Sequence, residues 1–227
     1  MERIVTLYHG SQRVVAEPFP KGGNPHNDYG AGLYCTESAE LAMEWACTDK
    51  ERCYVNTYSL HTPNLSIMNL GGEEYHILNW LAILLENRTF STPQGLPSMA
   101  KEYVLDTFLP DYSAYDVIVG YRADDSYFSF ASAFLAGTIS LEQLSRAMHL
   151  GNLGEQIVLK TLKAFGSLHF EEATPVDYAT YHRFREERDV RARADFHRMK
   201  EEKDIASGVY IIDILRQNWK NDDPRLR

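Results

Sequence analysis

The chain has 227 residues, 44% hydrophobic and 24% charged, which is enough to bury a sizeable core and reads as one globular domain with a helical appendage. Its formal net charge of −9 opposes nucleic-acid binding by the molecule as a whole, which would need a local basic face. The longest apolar run, residues 77–85, is interrupted by Asn79 and is too short to cross a bilayer, and the first residues show no signal-peptide pattern, so a soluble, cytoplasmic protein with no membrane association is expected.

In chain order, residues 4–8 form a β-type run that ends at His9-Gly10-Ser11, where a glycine lets other groups approach the backbone. Residues 18–28 are rich in proline, glycine and asparagine and predict a loop, which leads through Tyr29 and the Gly30-Ala31-Gly32 turn into a strand at Leu33-Tyr34-Cys35-Thr36. Ala39, Ala42, Met43 and Ala46 then recur at helical spacing behind Thr36 or Ser38 as cap. A strand follows at 54–60, and Gly71-Gly72 marks the start of a helix over 73–87 with a wide apolar face.

Residues 89–97 predict a loop and 99–108 a helix ended by Pro110. The compact run 116–121 predicts a central strand, followed by the polar loop Arg122-Ala123-Asp124-Asp125. Helices are expected at 127–136 and 140–148, the second opened by a Ser140/Gln143 capping box and closed by Gly151. Residues 155–162 and 168–173 read as the last strands. From 181 to 205 the chain predicts a long helix of nearly balanced charge, whose Phe184, Ala192, Phe196 and Met199 pack on the core or on a partner. Cys35, Cys47 and Cys53 form no CxxC pair and show no zinc-ligand spacing, so they read as small apolar residues, and no metal is expected.

Three strand ends carry the chemistry: Tyr8-His9-Gly10-Ser11, the segment from Asp28 through Tyr34 to Thr36, and Glu155-Gln156-Ile157-Val158-Leu159-Lys160-Thr161. With the Ala42-Met43-Glu44-Trp45-Ala46 helix and the strand and loop from Asp116 to Asp125, they occur in the order found in the ADP-ribosyltransferase superfamily. The chain resembles its His-Tyr-Glu branch, that of diphtheria toxin and the poly(ADP-ribose) polymerases, and within it a bacterial family that carries only a domain-of-unknown-function label. The resemblance spans roughly residues 4–173.

That resemblance implies an α+β fold of two packed, mainly antiparallel sheets around an NAD+ cleft, with flanking helices. It divides the chain into a catalytic domain over residues 1–180 and a charged helical C-terminal extension over 181–227. His9 would bond the ribose of NAD+, the Gly10 backbone would hold the nicotinamide carboxamide, and Tyr34 would stack on the nicotinamide ring. Thr36 and Trp45 would support that wall, Ser11 and Gly32 would complete the cofactor-binding set, and Arg122 would contact the pyrophosphate or stand at the surface.

Breaking the nicotinamide–ribose bond creates an oxocarbenium-like ribose, so an acceptor or negative charge beside the ribose hydroxyls is what the reaction needs, with no metal. The polymerase alignment puts Glu155 in that position and the bacterial family puts Gln156 there; adjacent strand residues face opposite sides, so both cannot line one pocket. Gln156 is favoured on family proximity, and Asp125 is the candidate for the missing carboxylate unless it only caps the following helix. The expected activity is mono-ADP-ribosylation of a protein or nucleic-acid acceptor by a bacterial toxin or defence effector. NAD+ hydrolysis, or a degenerate NAD+-binding module, is the alternative. The charged helix is the expected docking site for an antitoxin or other partner protein.

Overall fold

The structure, a computed structural model, describes residues 4–48, 52–89, 91–123, 125–150, 154–201 and 208–226. The elements in order are β1 (Ile4–Ser11), β2 (Leu33–Cys35), α1 (Ala39–Ala46), β3 (Tyr54–His61), β4 (Ile67–Asn69), α2 (Ile77–Asn87), α3 (Leu96–Phe108) and β5 (Val117–Tyr121). They continue with α4 (Asp125–Leu135), α5 (Leu141–Ala147), β6 (Glu155–Leu159), α6 (Leu162–Gly166), β7 (Leu168–Pro175), α7 (Tyr178–Glu201) and α8 (Ile211–Arg216).

The strands form two sheets, β1-β3-β7 and β2-β6-β5-β4, antiparallel throughout except for the parallel pair β4–β5. An antiparallel bridge between Tyr8 and Thr36 ties β1 to the end of β2 and so joins the sheets. The architecture is α+β with two mainly antiparallel sheets. Strand alternation gives the second sheet two different faces. Leu33, Cys35, Val117, Ile157 and Leu159 point at the first sheet and bury against its Leu7, Tyr58 and Leu60. Ile118 and Val158 point the other way, into a larger core built with α2, α3, α4 and α5.

Several predicted boundaries move: β1 continues to Ser11, α4 starts at Asp125 and α7 at Tyr178, and three others have a local reason. Helix α2 starts at Ile77 rather than 73, because the Asn79 side chain turns back to accept from the His76 N–H at 2.9 Å. Helix α3 begins at Leu96, inside the predicted loop, with Pro97 in its first turn, where a missing N–H costs nothing. Strand β6 stops at Leu159 rather than 162, because the Thr161 hydroxyl accepts from the Ala164 N–H at 3.3 Å and opens α6. Strand β7 runs on to Pro175. Gly151, Asp124 and residues 202–205 of the predicted long helix lie outside the described residues.

The C-terminal helices are built into the main core. Ala192, Phe196 and Met199, one stripe of α7 at spacings of four and three, are buried, as are Ile211, Ile214, Trp219 and Leu226 beyond it. The Phe196 ring lies 4.0 Å from that of Phe130 in α4. Arg188 of α7 clamps the buried Glu44 of α1 with two bonds of 2.7 Å. Among the described residues no helix is long and apolar enough to cross a membrane.

Asp116 holds the root of the second sheet. Its carboxylate accepts from the Thr161 hydroxyl at 2.5 Å, the Ser66 N–H at 2.9 Å and the Lys163 ammonium at 2.9 Å. The Thr161 bond first, then Ser66 and Lys163, hold this carboxyl below its ordinary value of 3.8. A depressed carboxylate contributes stability above its unfolded pKa, and the contribution is lost as pH falls through the folded value. Asp116→Asn is therefore expected to lose roughly 2 kcal/mol at pH 7, with the gap to the parent beginning to narrow in urea melts taken at pH 3, just below the ordinary value of 3.8. A gap of equal size at both pH values contradicts the assignment.

Candidate functional site

His9 sits near the end of β1, where its ring Nδ1 bonds the Tyr34 carbonyl at 2.8 Å. A carbonyl only accepts, so Nδ1 carries the proton and Nε2 presents a lone pair. Burial lowers the pKa of His9 from its ordinary 6.5, which keeps the imidazole neutral at pH 7.

The next residue, Gly10, lies against α1. A Cβ there would stand 2.0 Å from the Ala42 carbonyl oxygen and 2.7 Å from the Ala46 nitrogen, so glycine is what lets the helix touch the strand. The Ser38 hydroxyl caps that helix at Leu41 N, and the contact brings Trp45 over the strand end.

Tyr34 is fixed by its own hydroxyl, which donates to the Gly30 carbonyl at 2.6 Å and accepts from the Tyr29 N–H at 3.0 Å. Gly30 makes that turn at φ +75, a conformation that L side chains rarely adopt. Tyr29 is fully buried and donates to the Tyr121 carbonyl at 2.6 Å. Burial pushes the Tyr34 phenol far above its ordinary range, so the ring is a neutral wall.

Behind these residues lies a polar network with a buried carboxylate at its centre. Asp28, 3% exposed, accepts at Oδ1 from Arg88 Nε at 2.8 Å and Nη2 at 2.7 Å. At Oδ2 it accepts from the Ala123 N–H at 3.0 Å and Gln156 Nε2 at 3.3 Å. Burial pushes the Asp28 carboxyl above its ordinary value, opposed by the Arg88 charge and the Ala123 N–H. The Arg122 guanidinium stands 4.4 Å from the centre of the Trp45 ring, a cation–π contact.

His9, Asp28, Tyr34, Trp45, Arg122 and Gln156, from five separate stretches of the chain, line one cavity of about 210 Å3, with the Gly10 backbone at its edge. Two buried polar atoms in its lining, the donor Trp45 Nε1 and the acceptor Gln156 Oε1, have no hydrogen-bond partner among the described residues. His9 also lines a second cavity of about 250 Å3, shared with Ser11, Arg13, Phe19 and Gly32.

The remaining candidates go elsewhere. Glu155 is exposed and faces the opposite side of β6 from Gln156, as neighbours in a strand must. With Thr36 it lines a cavity of about 580 Å3 between the sheets. Thr36 also bridges to Tyr8, and its hydroxyl accepts from the Ser38 N–H at 3.2 Å, which orients the chain entering α1. Asp125 opens α4, and its side chain lies outside the described residues. Asp28 and Arg88 are site residues that the sequence did not single out. Asp28 heads the Tyr34 segment, whereas nothing in the sequence pairs it with an arginine sixty positions away.

The stretch of chain that builds these cavities is also the one that a family model recognises. The chain belongs to the family described as "Protein of unknown function (DUF3990)", whose model matches residues 5–170. The DUF3990 match runs from β1 into β7 and leaves α7 and α8 outside it. No curated protein and no solved structure matches the chain.

Proposed function

We propose that this DUF3990 protein is a mono-ADP-ribosyltransferase of the His-Tyr-Glu type, cleaving the nicotinamide–ribose bond of NAD+ and passing ADP-ribose to a protein or nucleic-acid acceptor. In this reading its two sheets form an ADP-ribosyltransferase fold, and its biological role is that of a bacterial toxin or defence effector. The observation that carries it is the convergence of His9, Tyr34, Trp45 and Gln156 on a single cavity. That cavity, of about 210 Å3, shares His9 with a second cavity of about 250 Å3.

The chemistry follows from the groups present. The glycosidic electron pair leaves with the nicotinamide nitrogen, which becomes neutral, and the ribose C1′ gains carbocation character. His9 Nε2 and Gln156 Oε1 are acceptors for ribose hydroxyls, whose lone pairs then stabilise that charge. Tyr34 and Trp45 give flat walls for the ring, and Arg122 supplies positive charge for the pyrophosphate. The acceptor's nucleophile bonds to C1′ and loses a proton to solvent.

The degenerate-module reading has one observation in its favour, an amide where this branch carries a glutamate. Incubation with adenylate-labelled NAD+ and cell lysate separates the readings. Label on macromolecules, reduced at least a hundredfold by His9→Ala or Tyr34→Ala, is the expected result. Free ADP-ribose alone makes the protein a glycohydrolase. NAD+ left intact in the presence of lysate, with NAD+ binding retained, makes it a binding module. Intact NAD+ without binding overturns the proposal.

A further inference from the structure

We propose that Asp28 is a positioning residue that locks the Gln156 amide with its carbonyl oxygen turned into the cavity, so that this site works with an amide and rejects a carboxylate at position 156. The inference rests on the NAD+ reading for what the oxygen contacts, but not for the lock itself.

Four N–H groups converge on Asp28: Arg88 Nε and Nη2, the Ala123 backbone and Gln156 Nε2. An arrangement made only of donors requires the ionised carboxylate, which has nothing to donate. Gln156 must therefore offer its NH2, because the flipped amide would set oxygen against oxygen in a site where Asp28 is 3% and Gln156 5% exposed. With the NH2 committed, Oε1 is left buried without a partner. A buried acceptor without a bond costs free energy unless a ligand donates to it. The ribose 2′-hydroxyl is the donor that the NAD+ reading supplies.

The lock has a consequence opposite to simple family logic. Gln156→Glu, which restores the residue typical of the branch, sets a second carboxylate against Asp28. The two then share a site that cannot hold both charges, and one of them retains a proton. The other titratable and charged groups of this site are His9 from β1, Tyr29 and Tyr34 from the segment entering β2, Arg88 after α2, Arg122 after β5 and Lys160 after β6, whose ammonium bonds the Tyr29 carbonyl. All are present in every variant compared, and the double variant, which also carries a carboxylate at position 156, controls for their response to it.

The experiment is thermal melting of the full chain as wild type, Gln156→Glu, Asp28→Asn and the exchanged double variant Asp28→Asn/Gln156→Glu, at pH 8 and pH 5. A proton retained by the folded pair makes Gln156→Glu gain stability relative to wild type as pH falls. The expected result is a deficit in melting temperature of about 3 °C or more at pH 8 that narrows at pH 5. The double variant, which keeps one carboxylate and one amide, is expected to lose that pH dependence. NAD+ cleavage by Gln156→Glu is expected to fall about tenfold or more. A deficit equal at both pH values, or undiminished pH dependence in the double variant, overturns the lock. If wild type cleaves no NAD+, the enzyme reading fails while the melting data still decide the role of Asp28.

Discussion

A chain ending at residue 181 is expected to be insoluble or to lack a cooperative melting transition. Phe196, Met199, Ile211, Ile214, Trp219 and Leu226 are all buried in the same core as Phe130 and the apolar face of α2. Burying a large apolar side chain contributes about 1.5–3 kcal/mol each, so six together rival the ~5–15 kcal/mol of net stability of a typical domain. Removal would also uncover Phe130, strip the Gln143 amide of the Met199 carbonyl that it bonds at 3.0 Å, and leave the buried Glu44 without Arg188. A buried carboxylate that loses its partner is costly in its own right. Circular dichroism and a thermal melt of the truncated chain provide the check, and a soluble, cooperatively folding fragment would refute this account. The apolar stripe of α7 is thus occupied by the core. The surface left for any partner is its charged side, with the i,i+4 pairs Arg183–Glu187 and Arg193–Asp189, together with Phe184 and Val190, which stay exposed rather than packing on the core.

Gly10→Ala is the single substitution expected to do most damage. A methyl group 2.0 Å from the Ala42 carbonyl oxygen meets helix backbone, which cannot rotate away as a side chain can, so α1 must lift from β1 as a body. Overpacking of this kind costs about 3 kcal/mol or more, and the displaced helix carries Trp45 away from the cavity. The expected outcome is loss of soluble protein, or a melting temperature lowered by roughly 6 °C or more. Gly166→Ala is the control, because a Cβ there meets nothing within 4 Å. Comparable damage from both would remove the helix contact as the explanation.

Local features were legible wherever a short pattern fixes the structure. The Ser140/Gln143 box is present, with Ser140 Oγ accepting from Gln143 N at 3.2 Å and Gln143 Oε1 from Ser140 N at 2.9 Å. The close approach at Gly10 could be read because a glycine after a β-run marks it, although β1 runs on through Gly10 to Ser11. Strand β4 could not: Ile67-Met68-Asn69 is too short for any period to emerge, and it is a strand only because β5 lies beside it. Helix α8, six residues long, likewise owes its place to the burial of Ile211 and Ile214. At the site, His9, Tyr34 and Gln156 drew attention through a resemblance of motifs, whereas Asp28 and Arg88 meet across sixty residues with no pattern to connect them. Pairings at that range are set by tertiary packing, which periodicity does not encode.

The Tyr8–Thr36 bridge has a mechanical consequence. Its two hydrogen bonds, Tyr8 N to Thr36 O at 2.8 Å and Thr36 N to Tyr8 O at 3.0 Å, bind the sheets as a spine binds the covers of a book. His9 is the next residue beyond the spine on one cover, and Tyr34 lies two residues from it on the other. The imidazole and the backbone of the tyrosine are therefore set from two sheets at the one place where those sheets are stitched together, and the 2.8 Å bond from His9 Nδ1 to the Tyr34 carbonyl closes the stitch.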